Sequence, residues 1–293
     1  MATTRISPTS VEVGNRPDGD PALRLGSGVR GQVTARYSVL VCLPTGPSVR
    51  LLARGLRQAT ATAYNRAAAM NEDQQRFVEF LVRCGALRFG SFTTAAGRHS
   101  PYFIDTGRFD DGARLGAVAG WYARTLRERL GDGFELLFGP AYKGIPLAAA
   151  TAVELERRYG HAVGFCFDRK EAKDHGEGGR LVGRLPRDGD RVVIVEDVVS
   201  AGGSVRRSVE RLRAAADLRI AGLVVAVDRM ERGLGDATAL DELREELGVP
   251  AFPVVTVRDV LRHLRGRAVD GRVVLDDATA ERMLAYLSEH GPR

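Results

Sequence analysis

The chain has 293 residues, 44% of them hydrophobic, enough for one large domain or two small ones of ordinary globular composition. No run approaches the roughly 18 to 20 apolar residues that span a bilayer, and the N-terminus lacks the charged-then-apolar layout of a secretory signal, so a cytoplasmic protein is expected. Three cysteines, Cys42, Cys84 and Cys166, form neither an even disulfide set nor a metal-ligand spacing and are expected to be buried thiols.

The net charge of +6 admits nucleic acid, anionic lipid or a phosphorylated substrate, and its make-up narrows the field. Of the 43 basic residues only Lys143, Lys170 and Lys173 are lysine; the remaining 40 are arginine. The three lysines lie within 31 residues of one another, in two short polar segments. An ammonium is a compact point charge that can lose its proton when desolvated, whereas guanidinium is a broad planar fork. Lysines kept in so arginine-rich a chain therefore mark a site that handles phosphates.

Residues 1–69 carry scattered Gly, Pro, Thr and Arg, few acidic residues and no durable period. They are read as an extension outside the domain: poorly ordered, or upstream sequence counted as coding with translation beginning at Met70, or a targeting presequence, whose arginine-rich, acid-poor composition they share although no clear amphipathic helix is present. From Met70 the elements follow closely. Gln74 to Leu87 reads as a helix with Phe77, Phe80, Leu81 and Cys84 on one face, and Leu87 to Asp105 as a hairpin turning around Ala95-Ala96-Gly97-Arg98. Asp111 to Leu130 is a long helix with Trp121 as its core anchor. Glu135 to Phe138 is a buried strand ending in Gly139-Pro140, Ile145 to Tyr159 a helix, and Val163 to Phe167 the next strand. A polar, glycine-bearing loop is expected from Asp168 to Gly183. Strand Val192 to Val195, helix Ser204 to Ala216, strand Leu218 to Asp228, helix Ala239 to Leu247, strand Phe252 to Val257 and terminal helices complete the series. Continuous apolar strands alternating with helices predict an open α/β domain whose parallel sheet is covered on both faces.

The richest segment is Val192-Val193-Ile194-Val195-Glu196-Asp197-Val198-Val199-Ser200-Ala201-Gly202-Gly203-Ser204. A buried strand delivers two adjacent carboxylates at its C-terminal end, and a small-residue loop then opens into a helix. Loop N–H groups and the helix N-terminus form an anion site, and Gly202 and Gly203 let the chain approach a phosphate closely. Carboxylates beside a phosphate cradle suit a ligand with hydroxyls on one side and phosphate on the other, as in ribose 5-phosphate. No Gly-Lys-Ser or Gly-Lys-Thr follows, so this is not a Walker loop.

The segment resembles the PRPP-binding motif of type I phosphoribosyltransferases. The resemblance implies that Glu196 and Asp197 hold the ribose hydroxyls and that Val198, Val199, Ser200, Ala201, Gly202, Gly203 and Ser204 receive the 5-phosphate. Glu196 stands where aspartate is frequent and Ser200 where threonine is; neither departure removes a functional group. Phe138-Gly139-Pro140-Ala141-Tyr142-Lys143-Gly144-Ile145-Pro146 resembles the pyrophosphate loop of orotate phosphoribosyltransferases, with Tyr142 and Lys143 at positions associated with PRPP. Asp168-Arg169-Lys170-Glu171-Ala172-Lys173-Asp174-His175-Gly176-Glu177-Gly178-Gly179 resembles that family's mobile catalytic loop almost residue for residue.

In that family the loop closes over the neighbouring subunit's active site, which implies a homodimer with shared sites. Arg169, Lys170, Lys173 and His175 would then act on pyrophosphate, and Lys170, Lys173, His175 and Asp197 form the implied catalytic group. Ser91 to Asp105 resembles the orotate segment, with Phe103 and Ile104 lining the pyrimidine beside Ser200, and Arg229 falls where an arginine reads the orotate carboxylate. Ala95 stands where many members carry a ligand-contacting lysine, so either Arg98 or His99 supplies that charge or the site is weaker. The resemblance thus implies an α/β fold over residues 70–293, an open, mostly parallel sheet flanked by helices, with a small N-terminal hood-like hairpin region. The implied reaction converts orotate and PRPP to orotidine 5'-phosphate and pyrophosphate, towards UMP. Mg²⁺ would be held mainly through PRPP, with Glu196 and Asp197 in reach, and neither membrane nor nucleic acid is an expected partner. Two other readings stay open: a phosphoribosyltransferase for another base, and a PRPP-sensing regulator that binds nucleic acid, although no helix-turn-helix or RNA-binding signature is present.

Overall fold

A computed structural model describes residues 70–94, 97–173 and 179–293, with the backbone alone for 170–173 and 179, together with two short antiparallel strands, Gly14–Asn15 and Pro21–Ala22. The rest of the 1–69 extension, with Cys42, lies outside the described residues, as do Ala95, Ala96 and His175. The chain divides into two units, residues 1–66 and 67–293, and the second carries everything that follows.

Helix α1 (Glu72–Arg83) starts two residues before the expected Gln74, because Asn71 and Gln74 cap it reciprocally: each backbone N–H donates to the other's side-chain oxygen, at 3.1 and 2.8 Å. It buries Phe77, Val78 and Leu81. Strands β1 (Leu87–Thr93) and β2 (His99–Ile104) form the predicted hairpin as a separate two-stranded sheet. Helix α2 (Gly112–Leu130) is capped by Asp111, and Trp121 packs 5.0 Å from the rings of both Phe77 and Phe80, in the anchoring role expected of it.

The main sheet holds β3 (Leu136–Gly139), β4 (Gly164–Lys173), β5 (Gly179–Gly183), β6 (Arg191–Val195), β7 (Arg219–Asp228) and β8 (Ala251–Thr256), in the order β8-β7-β6-β3-β4-β5. All neighbours are parallel except β4 and β5. Successive residues point to opposite faces. Leu137, Val193, Val195 and Val224 therefore join one core with α1, α2 and α3 (Gly144–Tyr159), while Leu136, Phe138, Ile194, Leu223 and Val225 join another with α4 (Gly203–Ala215) and α5 (Ala239–Leu247). Burial on both faces explains why these strands read as unbroken apolar runs. Helix α6 (Val257–Leu264), a short hairpin of β9 (Ala268–Val269) and β10 (Arg272–Val273), and α7 (Asp277–His290) close the domain.

One expectation fails. The segment Asp168 to Gly183, expected as a loop, is largely a strand pair: β4 runs on to Lys173 and pairs with β5 through Phe167–Val182, Asp168–Leu181 and Lys173–Gly179. Backbone ladder bonds form regardless of side-chain polarity, and at the edge of the sheet the period-2 apolar signal is lost. Cys84 and Cys166 are free thiols; Cys84 is only half-buried, and burial pushes the Cys166 thiol up to about 12.

The turn from β3 into α3 is set by two glycines. A Cβ on Gly144 would lie 2.7 Å from Pro140 Cδ and 2.9 Å from the Val195 carbonyl oxygen, and one on Gly139 would strike the Gly144 backbone. This crowding seats the turn against the end of β6. Gly144→Ala is expected to cost about 1–3 kcal/mol, as overpacking does, and to lower Tm by about 2–10 °C in thermal unfolding. An unchanged Tm would mean that the turn is not held this tightly.

Candidate active site

Strand β3 sits in the middle of the sheet: the chain crosses from it to β4 on one side and later returns to β6 on the other. Such reversals open a crevice at the carboxyl ends of the two central strands. Three segments meet there. The β6–α4 segment brings Glu196 and Asp197, the β3–α3 turn brings Lys143, and the 3₁₀ turn Thr106–Arg108 after β2 brings Thr106.

Asp197 is held at both oxygens. Its Oδ1 accepts from the Val198 N–H at 2.7 Å, while its Oδ2 accepts from the Thr106 hydroxyl at 2.5 Å and lies 3.1 Å from Lys143 Nζ. Lys143 also donates to Thr106 Oγ1 at 2.9 Å. Glu196 is buried; Ser204, in the first turn of α4, donates to its Oε1 at 2.6 Å, and Tyr122 donates to its backbone carbonyl at 2.8 Å. Burial, reinforced by the neighbouring Asp197 charge, pushes the Glu196 carboxyl up to about 7 despite the Ser204 bond. Gly202 caps α4 in the left-handed region at φ 76°, and the helix presents its N-terminal N–H groups and positive dipole end to the loop Val198–Gly202. Of that loop Val199 is buried, whereas Ser200 and Ala201 are exposed. Tyr142 is exposed beside Lys143, and the Ala141–Tyr142 peptide is cis.

Asp168, where β4 passes the turn, ties the site's walls together. Its buried carboxylate accepts from the Ala141 N–H at 2.7 Å and pairs with Arg211 of α4. Arg169 follows on β4 and is partly buried. The side chains of Lys170 and Lys173 lie outside the described residues, like His175.

At the end of β7, Arg229 is almost buried. Its Nε and Nη2 donate to Glu231 Oε1 at 2.9 and 2.6 Å, and its guanidinium lies 4.8 Å from the centre of the Tyr102 ring. Tyr102 donates to the same Oε1 at 3.0 Å, and Arg98 reaches the other carboxylate oxygen at 3.4 Å. Arg98, one of the two groups considered as a substitute for the lysine missing at Ala95, thus brings a second guanidinium to Arg229's partner. Phe103 and Ile104, adjacent on β2, face opposite ways: Ile104 joins the core, whereas Phe103 stacks on Phe92 at 5.5 Å with Arg88 5.4 Å from its ring centre. Their side chains therefore occupy different faces of the hairpin. Tyr102 and Asp168 lie inside segments that the sequence marks, but their contacts are not marked there, and Thr106 and Glu231 carry no signal in the sequence, since their partners are brought to them by the fold.

A carboxylate pair, a helix-opening phosphate loop and an ammonium-bearing turn at one sheet edge make a phosphoribosyltransferase site. The phosphoribosyl transferase domain family matches residues 105–260, just over half of the chain. More narrowly, the chain belongs to the orotate phosphoribosyltransferase family. It is 43% identical over 222 residues to the orotate phosphoribosyltransferase of Clostridium acetobutylicum, covering 76% of this chain and 99% of that protein. It is 48% identical over 204 residues to that of Methylococcus capsulatus, covering 70% and 92%. The crystal structure of orotate phosphoribosyltransferase from Francisella tularensis superposes with a TM-score of 0.63 at 31% identity, covering 74% of this chain and 99% of that one.

The buried Glu196 makes stability pH-dependent. Its carboxyl is raised from 4.5 to about 7 in the folded protein, so between these values only the unfolded chain ionises and the contribution to stability falls as pH rises, levelling off above about 7. In urea unfolding, the stability difference between the natural protein and Glu196→Gln should shift by about 2 kcal/mol in favour of the variant from pH 5 to pH 8. A difference that does not change with pH would show that the carboxyl is not held neutral.

Proposed function

We propose that the chain, as a cytoplasmic homodimer, transfers the ribose 5-phosphate of PRPP to orotate, giving orotidine 5'-phosphate and pyrophosphate on the route to UMP. The observation that carries this reading is the junction of Glu196, Asp197, Lys143 and Thr106 at the mouth of the α4 phosphate loop. The 5-phosphate belongs at Val198–Ser204, where helix dipole and loop N–H groups favour an anion. The ribose hydroxyls donate to Glu196 and Asp197; hydroxyl donors stabilise the ionised form of Glu196 that burial disfavours. Lys143, with Tyr142 beside it, turns from Asp197 towards the pyrophosphate.

Glu196 and Asp197 are hard oxygen donors of the type Mg²⁺ takes, and among the described residues no group of three His, Cys, Asp or Glu side chains forms a protein cage for an ion. A Mg²⁺ ion held largely through PRPP oxygens beside these carboxylates would neutralise charge on the leaving pyrophosphate. The chain's own groups do the rest by position and electrostatics. As the C1–O bond of PRPP loosens into an oxocarbenium-like state, Lys143, Arg169, Lys170, Lys173 and His175 stabilise the charge gathering on pyrophosphate, and either His175 or Lys173 delivers a proton to it. The segment carrying Lys170, Lys173 and His175 closes over the partner's site and keeps water from the activated sugar. Arg229, held in place by Glu231 through Nε and Nη2, takes the orotate carboxylate with its guanidinium.

With purified protein, orotate, PRPP and Mg²⁺, the orotate absorbance should fall, EDTA should stop the loss, and Asp197→Asn should slow it by on the order of 10²- to 10³-fold. Turnover of adenine, hypoxanthine or uracil but not orotate would reassign the base. Salt-sensitive binding of nucleic acid without any turnover would favour a regulator. Arg229→Ala should raise KM for orotate by about tenfold or more, as loss of a hydrogen bond to a charged group does, and leave KM for PRPP within about twofold. Equal changes in both constants would remove Arg229 from the base site.

A further inference from the structure

We propose that the Thr106 hydroxyl is a positioning group for PRPP, fixing the Asp197 carboxylate while Lys143 exchanges Asp197 for the substrate. The inference rests on the reading of Glu196–Asp197 as the ribose-binding pair. Thr106 is buried, and its hydroxyl bonds to both charged partners, accepting from Lys143 Nζ at 2.9 Å and donating to Asp197 Oδ2 at 2.5 Å. The direct Lys143–Asp197 approach of 3.1 Å spans the same gap. Among the described residues Oδ2 thus has two holders and Oδ1 has one, the Val198 N–H.

An ammonium whose side chain is more than half exposed is free to swing to an incoming polyanion. When Lys143 leaves, the direct ion pair is lost and Oδ2 retains only Thr106. A short O–H···O⁻ bond from a buried, β-branched side chain holds the carboxylate plane with little entropy left to lose. Without it, Asp197 would be pinned by its own neighbouring N–H alone and could rotate about its side-chain torsions as the ribose arrives. Thr106 also follows Phe103, Ile104 and Asp105 directly, so the same bond joins the strand that leads to the base segment to the carboxylate that takes the sugar. Geometry between two reacting partners is worth most where it is fixed before they arrive.

The test is a double-mutant cycle on PRPP affinity, measured by calorimetry with PRPP and Mg²⁺ but no base, so that it does not depend on which base the protein uses. Thr106→Val keeps the shape and removes the hydroxyl; it should weaken PRPP about tenfold. In the Asp197→Asn background the same change should cost less than about threefold, because its route of action is already cut. Thr106→Ser should restore affinity to within about threefold. Should the valine protein not fold, Thr106→Ala serves in its place. Equal losses in both backgrounds, or a serine variant as weak as the valine one, would overturn the proposal, since a merely structural threonine predicts additivity and no rescue by the hydroxyl. Failure of the unaltered protein to bind PRPP would sink the ribose-site reading, and the proposal with it. PRPP binding without orotate turnover would leave Thr106 intact and move only the base.

Discussion

The parallel pairing of β3 with β6 is the constraint on which the site depends. It sets the ends of two strands side by side, so that the turn after β3 and the carboxylates after β6 share one edge. No side chain could do this alone: Gly139 and Gly144 have to be bare for the turn to press against the Val195 carbonyl, and only in that seat does Lys143 lie within 3.1 Å of Asp197. Helices α3 and α4 then leave on opposite faces of the sheet, each with its own apolar core, and the crevice between them stays open.

Around this edge, charge is balanced locally. Asp168 ties the Ala141 N–H to Arg211, so one carboxylate fixes the β3–α3 turn to helix α4. Glu196 is poised differently: it is buried, bonded to Ser204 and pushed up to about 7, near its titration point at neutral pH. The two neighbouring carboxylates are therefore held differently, Asp197 clamped at both oxygens by Thr106, Lys143 and the Val198 N–H, Glu196 buried and bonded to Ser204.

Much of this was legible beforehand. The apolar runs of β3, β6 and β7 could be read because burial on both faces leaves no polar interruption, and the carboxylate pair and glycines after β6 could be read because a phosphate loop needs contiguous residues. What stayed hidden is non-contiguous. Thr106 lies 91 residues from Asp197 and gains its meaning only through the fold, as does Glu231, on which Arg229, Arg98 and Tyr102 converge. The strand pair of β4 and β5 was hidden for another reason: its polar residues carry no apolar period, while its ladder bonds are made by backbone that every sequence has.

The Arg229–Glu231 contact has a consequence for selectivity. A buried arginine with no counter-charge would punish any base lacking a carboxylate, because such a base would leave the cation dry and alone. Here Glu231 already balances Arg229, so an uncharged pyrimidine could enter without exposing a bare charge. On the proposed role of Arg229, preference for an acidic base would then come from attraction to its guanidinium. Repulsion of its neutral analogues supplies little, and a pocket built this way discriminates less steeply than one whose polar groups wait unsatisfied.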